Sequence, residues 1–240
     1  MKCRDRTGKT DQDKTDRAHK QARPRPRVEE DKTALGIQRL RFLFIQPECN
    51  PFIRFRWQAV LSAHPIASFD FGPQGHLCFS IEIRPKRGQK YSTLAGLYRQ
   101  FTLIYIAADE RDVVRLRTNY KHEDIYLYRL RFSPDEARVR FKEYIDVLNE
   151  LYARPAWYNV ITHNCTTAIR ALHPSAQQAP WDWRILINGF LDRMLYERGV
   201  LAGDLPFEEL RAQALINKRA QEAGDAPDFS EKIRVGLAGF

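Results

Sequence analysis

The chain has 240 residues, 43% of them hydrophobic, with a formal net charge of +9. That is long enough for one substantial core without disulfides, and no run of ~18 apolar residues offers a membrane span. Residues 1–56 hold 15 Lys and Arg against 8 Asp and Glu, leaving 24 against 22 for the rest, so the basic excess belongs to the N-terminal arm and a nucleic-acid partner is not favoured.

Residues 1–34, "MKCRDRTGKTDQDKTDRAHKQARPRPRVEEDKTA", have almost no large apolar side chains and are expected to be disordered, because they cannot offset the entropy of ordering. "RPRPR" reads as a solvated tail, with phosphate contact as the alternative. This start is too charged for the apolar core of a signal peptide, so the chain itself specifies no compartment. The expected organisation is a basic, disordered or divergent arm over 1–52 and one folded domain over 53–240.

Short strands follow: "FIRFRW", "IASFDF", a Gly-Pro-Gln-Gly turn, then "HLCFSIEIR" with strict alternation. Leu77, Phe79, Ile81 and Ile83 share one face of the last, which leaves His76, Cys78, Ser80 and Glu82 on the other. "FTLIYIA" and "IYLYRLRF" read as further strands joined by the charged segment "DERDVVRLRTNYKHED", with antiparallel pairing. Pro65 lacks a backbone donor and points to an edge strand or bulge.

Ser133, Pro134 and Glu136 form a helix-start signature with the spacing of a capping box, and Arg154-Pro155 ends the run. Further helices are expected over 165–172, 183–198 (stopped by Gly199) and 205–222. Strands first and helices second give an α+β fold class.

"THNCTTAIR" puts Cys165 in the first turn of a helix, where the positive dipole end favours a thiolate. The same position suits a small buried residue, and both readings stand at this point. A nucleophile needs a base held by a third polar group. His163 is adjacent but points away from Cys165; His19 and His122 read as solvated. If Phe71 pairs with Gly75 across the hairpin, His64 lies opposite Glu82 with Cβ atoms ~5 Å apart. His76 is then roughly 20 Å along the strand from Glu82. The competing role for Glu82 is a surface pair with an Arg.

Zinc ligation by His163, Cys165 and His173 lacks a fourth ligand, so neither a metal nor a cofactor is expected. Trp157, Tyr158, Trp181 and Trp183 bracket Cys165 and read mostly as core, with a groove wall as the alternative. Arg184 and Asn188, a helical turn apart, face either the site or solvent.

Five blocks in order, "AHPIASFDFGPQGHLCFSIEIRPKRGQKYS", "LIYIAADERDVVRLRTNY", "DIYLYRLR", "WYNVITHNCTTAIR" and "DWRILINGFLDRMLYERG", resemble the N-terminal periplasmic domain of Lnb-type lipoprotein N-acyltransferases. That family is similar to permuted papain-like cysteine enzymes akin to lecithin:retinol acyltransferase. The resemblance runs from about Trp57 onward and implies an antiparallel sheet packed against helices. It places the family's histidine on His64, its glutamate on Glu82 and its cysteine on Cys165. Beside these, Asn164 at the helix start is a candidate support for the oxyanion, and Trp157, Tyr158, Trp183 and Arg184 are candidate groove residues from their positions around Cys165. The implied activity is a thiol-dependent acyltransferase or hydrolase acting on a lipid or lipoprotein acyl group, with membrane-surface contact at the periplasmic side of the inner membrane. The alternatives are a cell-wall peptidase or amidase using the same triad, and a non-catalytic module in which "RPRPR" and the Arg-rich run 111–117 bind an anionic membrane or nucleic acid. The upstream residues 1–52 depart from the family pattern.

Overall fold

In a computed structural model of the chain, the described residues are 39–46, 63–85, 88–89, 100–159, 165–171 and 180–240. Among them are strands β1 (Arg39–Gln46), β2 (His64–Asp70), β3 (His76–Arg84), β4 (Thr102–Asp109) and β5 (Asp124–Arg129). They form one open sheet in the order β4-β3-β2-β1-β5, with every neighbouring pair antiparallel. Helices α1 (Glu110–Arg115), α2 (Pro134–Ala153), α3 (Cys165–Ala171), α4 (Leu191–Glu197), α5 (Phe207–Ala214), α6 (Asn217–Ala223) and α7 (Phe229–Lys232) complete an α+β fold.

The β2–β3 connection sets the register. Phe71 N–H donates to Gly75 O at 3.0 Å around a 3-10 turn over Gly72–Gln74. Gly75 has φ of 99°, a conformation that side chains disfavour. The ladder runs from Asp70↔His76 to Ile66↔Ser80. Carried two residues further, this register sets His64 against Glu82, as the Phe71–Gly75 pairing requires.

Strand alternation sends the two faces to different cores. Ala67, Phe69, Phe79, Ile81 and Tyr128 pack with Phe141 and Tyr144 of α2 and with Cys165 and Ala168 of α3. Phe69 meets Phe141 edge-on at 5.2 Å and Phe79 stacks on Tyr144 at 5.1 Å, contacts that add to the area these rings remove from water. On the opposite face Ile66, Cys78, Ile125 and Leu127 pack against Val114, Ile216, Ala220, Phe229 and Ile233. A buried polar cluster accompanies this second core. Glu110 accepts from Ser68, Ser230 and Arg234, each at 2.7 Å. Burial opposes its charge, but the Arg234 guanidinium outweighs that and holds the carboxyl at about 2.

The capping box forms as the sequence requires: Ser133 Oγ accepts from Glu136 N–H, and the Glu136 carboxylate accepts from Ser133 N–H at 2.8 Å. Other elements differ from expectation. β1 lies within the stretch assigned to the arm, and it joins β2 to β5. Its Arg41 obscured the strand pattern, yet it is buried and neutralised by Asp70 at 2.7 Å. β2 is internal rather than an edge. Pro65 stands opposite Phe44 in the β1 ladder, one residue beyond the last β2–β3 pair.

The expected helix over 183–198 is instead two 3-10 turns, Trp183–Ile185 and Asn188–Phe190, followed by α4. That over 205–222 divides into α5 and α6, because Ile216 N–H is taken by Ile125 O at 3.0 Å and Leu215 bridges Tyr126. The charged segment after β4 forms α1 and a π turn over Leu116–Tyr120. The readings of residues 1–34 and of "FIRFRW" lie outside the described residues.

Candidate active site

Five elements meet at the open end of the β2–β3 hairpin, its two strands included. His64 is the first residue of β2, Ser80 and Glu82 follow one another on the same face of β3, and Cys165 is the first residue of α3. Asn188 comes from the 3-10 turn ahead of α4, and Arg117 from the π turn after α1. A π turn inserts a residue into the helical ladder and re-aims the side chains it carries.

His64 Nε2 is 2.8 Å from Ser80 Oγ and 3.1 Å from Glu82 Oε1. Ser80 Oγ donates to the same carboxylate oxygen at 2.7 Å, and Arg117 Nη2 donates to it at 2.6 Å. The other arm of Arg117 reaches Glu123 Oε2 at 2.9 Å. Cys165 stands near enough to the His64 ring to affect its ionisation. Asn188 Nδ2 approaches Cys165 Sγ at 3.4 Å and Thr166 Oγ1 at 3.1 Å, while its Oδ1 accepts from Ala63 N–H at 2.8 Å.

The electrostatics follow from these contacts. Burial disfavours an imidazolium at His64, but hydrogen bonds to Cys165 and Glu82 and their charges outweigh it, raising the ring to about 9. Burial likewise disfavours the Glu82 anion, yet His64, then Arg117 and Ser80, hold its carboxyl at about 2. The arrangement therefore sets a histidine that retains its proton near neutral pH beside a fixed anion.

Of the residues singled out in the sequence, His64, Glu82 and Cys165 come together. His76 is committed elsewhere, 3.5 Å from Asp70 Oδ1. Cys78 is fully buried in the second core, and that burial pushes its thiol well up. Asn164, His163 and His173 lie outside the described residues. The tryptophans are not core: Trp157 and Trp183 are 50% and 55% exposed. Tyr158 is partly buried against the first core and donates its N–H to Phe101 O at 2.9 Å.

Arg184 is held in a knot with Asp182 at 2.8 Å and Glu197 at 2.6 Å. In the run 111–117, Arg111 and Arg115 face Asp225, and Arg117 faces Glu82. Those guanidiniums are engaged within the fold. Sequence pattern alone does not decide the direction of Asn188 and assigns Arg117 no place at the site. Only the family blocks containing both residues hinted at them.

A family model described as the Lnb N-terminal periplasmic domain matches residues 52–189, more than half of the chain and inclusive of all six residues of the cluster. No curated protein and no solved structure matches the chain.

Proposed function

Because the chain belongs to the Lnb N-terminal periplasmic domain family, the periplasmic part of lipoprotein-modifying proteins, we propose that it is a thiol-dependent acyltransferase or hydrolase acting on a lipid or lipoprotein acyl group. The observation that carries this reading is the convergence of three residues: the His64 ring stands 3.1 Å from Glu82 Oε1, and Asn188 bonds both Cys165 Sγ and the backbone N–H directly before His64. Among the described residues no helix is long and apolar enough to cross a membrane. We take the substrate to be presented at the periplasmic face of the inner membrane.

With Nε2–H donating to Glu82 and Ser80, Nδ1 is the nitrogen that holds the proton given up by the thiol, so the reactive form is a thiolate beside an imidazolium. Cys165 Sγ then attacks the acyl carbonyl and forms an S–C bond. His64 returns the proton to the departing oxygen as the ester C–O bond breaks, leaving a thioester on Cys165. In the second half His64 removes a proton from an amine or water, which attacks the thioester and frees the thiol. Backbone N–H groups at the start of α3, with Asn164, are the proposed oxyanion donors. The half-exposed Trp157 and Trp183 fit the wall of an acyl groove, whereas Arg184 serves the fold.

A small thiol-reactive acyl probe tests this. Labelling near neutral pH is expected to be lost in Cys165→Ala and His64→Ala and kept in Cys78→Ala and His76→Ala. Equal labelling of wild type and His64→Ala would remove the proposed base. Product analysis with a diacylated lipopeptide and with a peptidoglycan fragment separates acyl transfer from peptide or amide hydrolysis.

A further inference from the structure

We propose that Asn188 is a positioning residue that holds the Cys165 sulfur against His64 and favours negative charge on it. This deepens, and rests on, the reading of Cys165 as the nucleophile. The side-chain amide links three segments. Its Oδ1 accepts the N–H of Ala63, the residue directly before His64, and its Nδ2 faces Thr166 Oγ1 and Cys165 Sγ. The Ala63 contact fixes which way the amide points. An acceptor is needed on the β2 side, so the NH2 group must face the sulfur.

Asn188 is 7% exposed and Thr166 6%, so water competes little for these contacts. A donor aimed at a sulfur in such surroundings stabilises the thiolate more than the thiol. The same amide also fixes distance. Because Asn188 bonds both the start of β2 and the start of α3, displacement of either segment strains a hydrogen bond on the other side.

A purely structural asparagine would need its oxygen for Ala63 N–H and one amide hydrogen for Thr166 Oγ1, but not the hydrogen that meets the sulfur. The donor half separates the two roles. Asn188→Asp keeps the acceptor and loses the donor, placing an anion 3.4 Å from the sulfur position; Asn188→Ala loses both.

The experiment follows alkylation of the Cys165 peptide by iodoacetamide across pH in wild type, Asn188→Asp, Asn188→Ala and His64→Ala, with a thermal melt of each. Asn188→Asp is expected to react about tenfold or more slowly near neutral pH and to recover at high pH, its profile displaced to higher pH. Asn188→Ala moves the same way by less. A cooperatively melting Asn188→Asp with a wild-type profile overturns the proposal. In unsubstituted protein, the Asn188 side-chain amide NMR signals are expected to shift with the pH midpoint of alkylation; signals that stay still across that midpoint overturn it without any variant. If wild type depends on His64 while the Asn188 variants match it, only the Asn188 role fails. If wild type and His64→Ala react alike, the nucleophile reading itself fails.

Discussion

Arg117 Nη2 lies 2.6 Å from Glu82 Oε1, the oxygen that also stands 3.1 Å from His64 Nε2. One carboxylate oxygen thus takes the guanidinium, the Ser80 hydroxyl and the imidazole together. Arg117→Ala should leave Glu82 with weaker support and a more mobile His64. Iodoacetamide alkylation of Cys165 near neutral pH is expected to fall about tenfold. A rate unchanged from wild type would show that Ser80 alone orients the carboxylate.

His64 is raised from an ordinary 6.5 to about 9. A group raised on folding contributes stability that is fully present below its unfolded value and is lost as pH rises through the folded one. Between about pH 6.5 and 9, wild-type melting temperature is therefore expected to fall by more than that of His64→Ala. Parallel curves would show that the imidazolium contributes nothing to the fold.

Glu110 behaves in the opposite sense. Its carboxyl is depressed from 4.5 to about 2, with Arg234 outweighing burial, so its contribution is present above about 4.5 and disappears as pH drops towards 2. Glu110→Gln leaves the Arg234 charge buried without an anion, at a cost of about 3 kcal/mol. Urea unfolding at neutral pH should show a lower midpoint with an unchanged slope. Cys165 alkylation in the folded variant should be that of wild type, because Glu110 serves the other core.

The start of α2 is a local test. Ser133→Ala removes the hydroxyl that accepts Glu136 N–H and should cost about 1 kcal/mol. Since α2 carries Phe141 and Tyr144 into the first core, the loss should be seen in global unfolding. Fraying confined to the helix end would be seen instead if the packing of those rings suffices.

What was legible in the sequence followed short-range rules. Alternation from Leu77 to Ile83 and the glycine-bounded turn determine the register that brings His64 to Glu82. Ser133-Pro134-Asp135-Glu136 specifies a helix start by local hydrogen bonding. The rest depended on distant partners. Arg41 looks unsuited to an inner strand until Asp70 neutralises it, and the break at Leu215–Ile216 exists because β5 takes an N–H that a helix would have used. Arg117 and Asn188 stayed obscure for a similar reason. A π turn re-aims the first, and a broken helix frees the second, and neither event has a clear local signature.

β1 has one practical consequence for anyone trimming this protein. The family match begins at residue 52, but β1 ends at Gln46 and supplies the hydrogen-bonding partner of both β2 and β5. A truncation to the matched stretch would part β5 from the other three strands and bare two backbone edges, one of them on the strand that starts with His64. Such edges recruit other chains, so the shortened protein should precipitate or self-associate before its chemistry can be assayed.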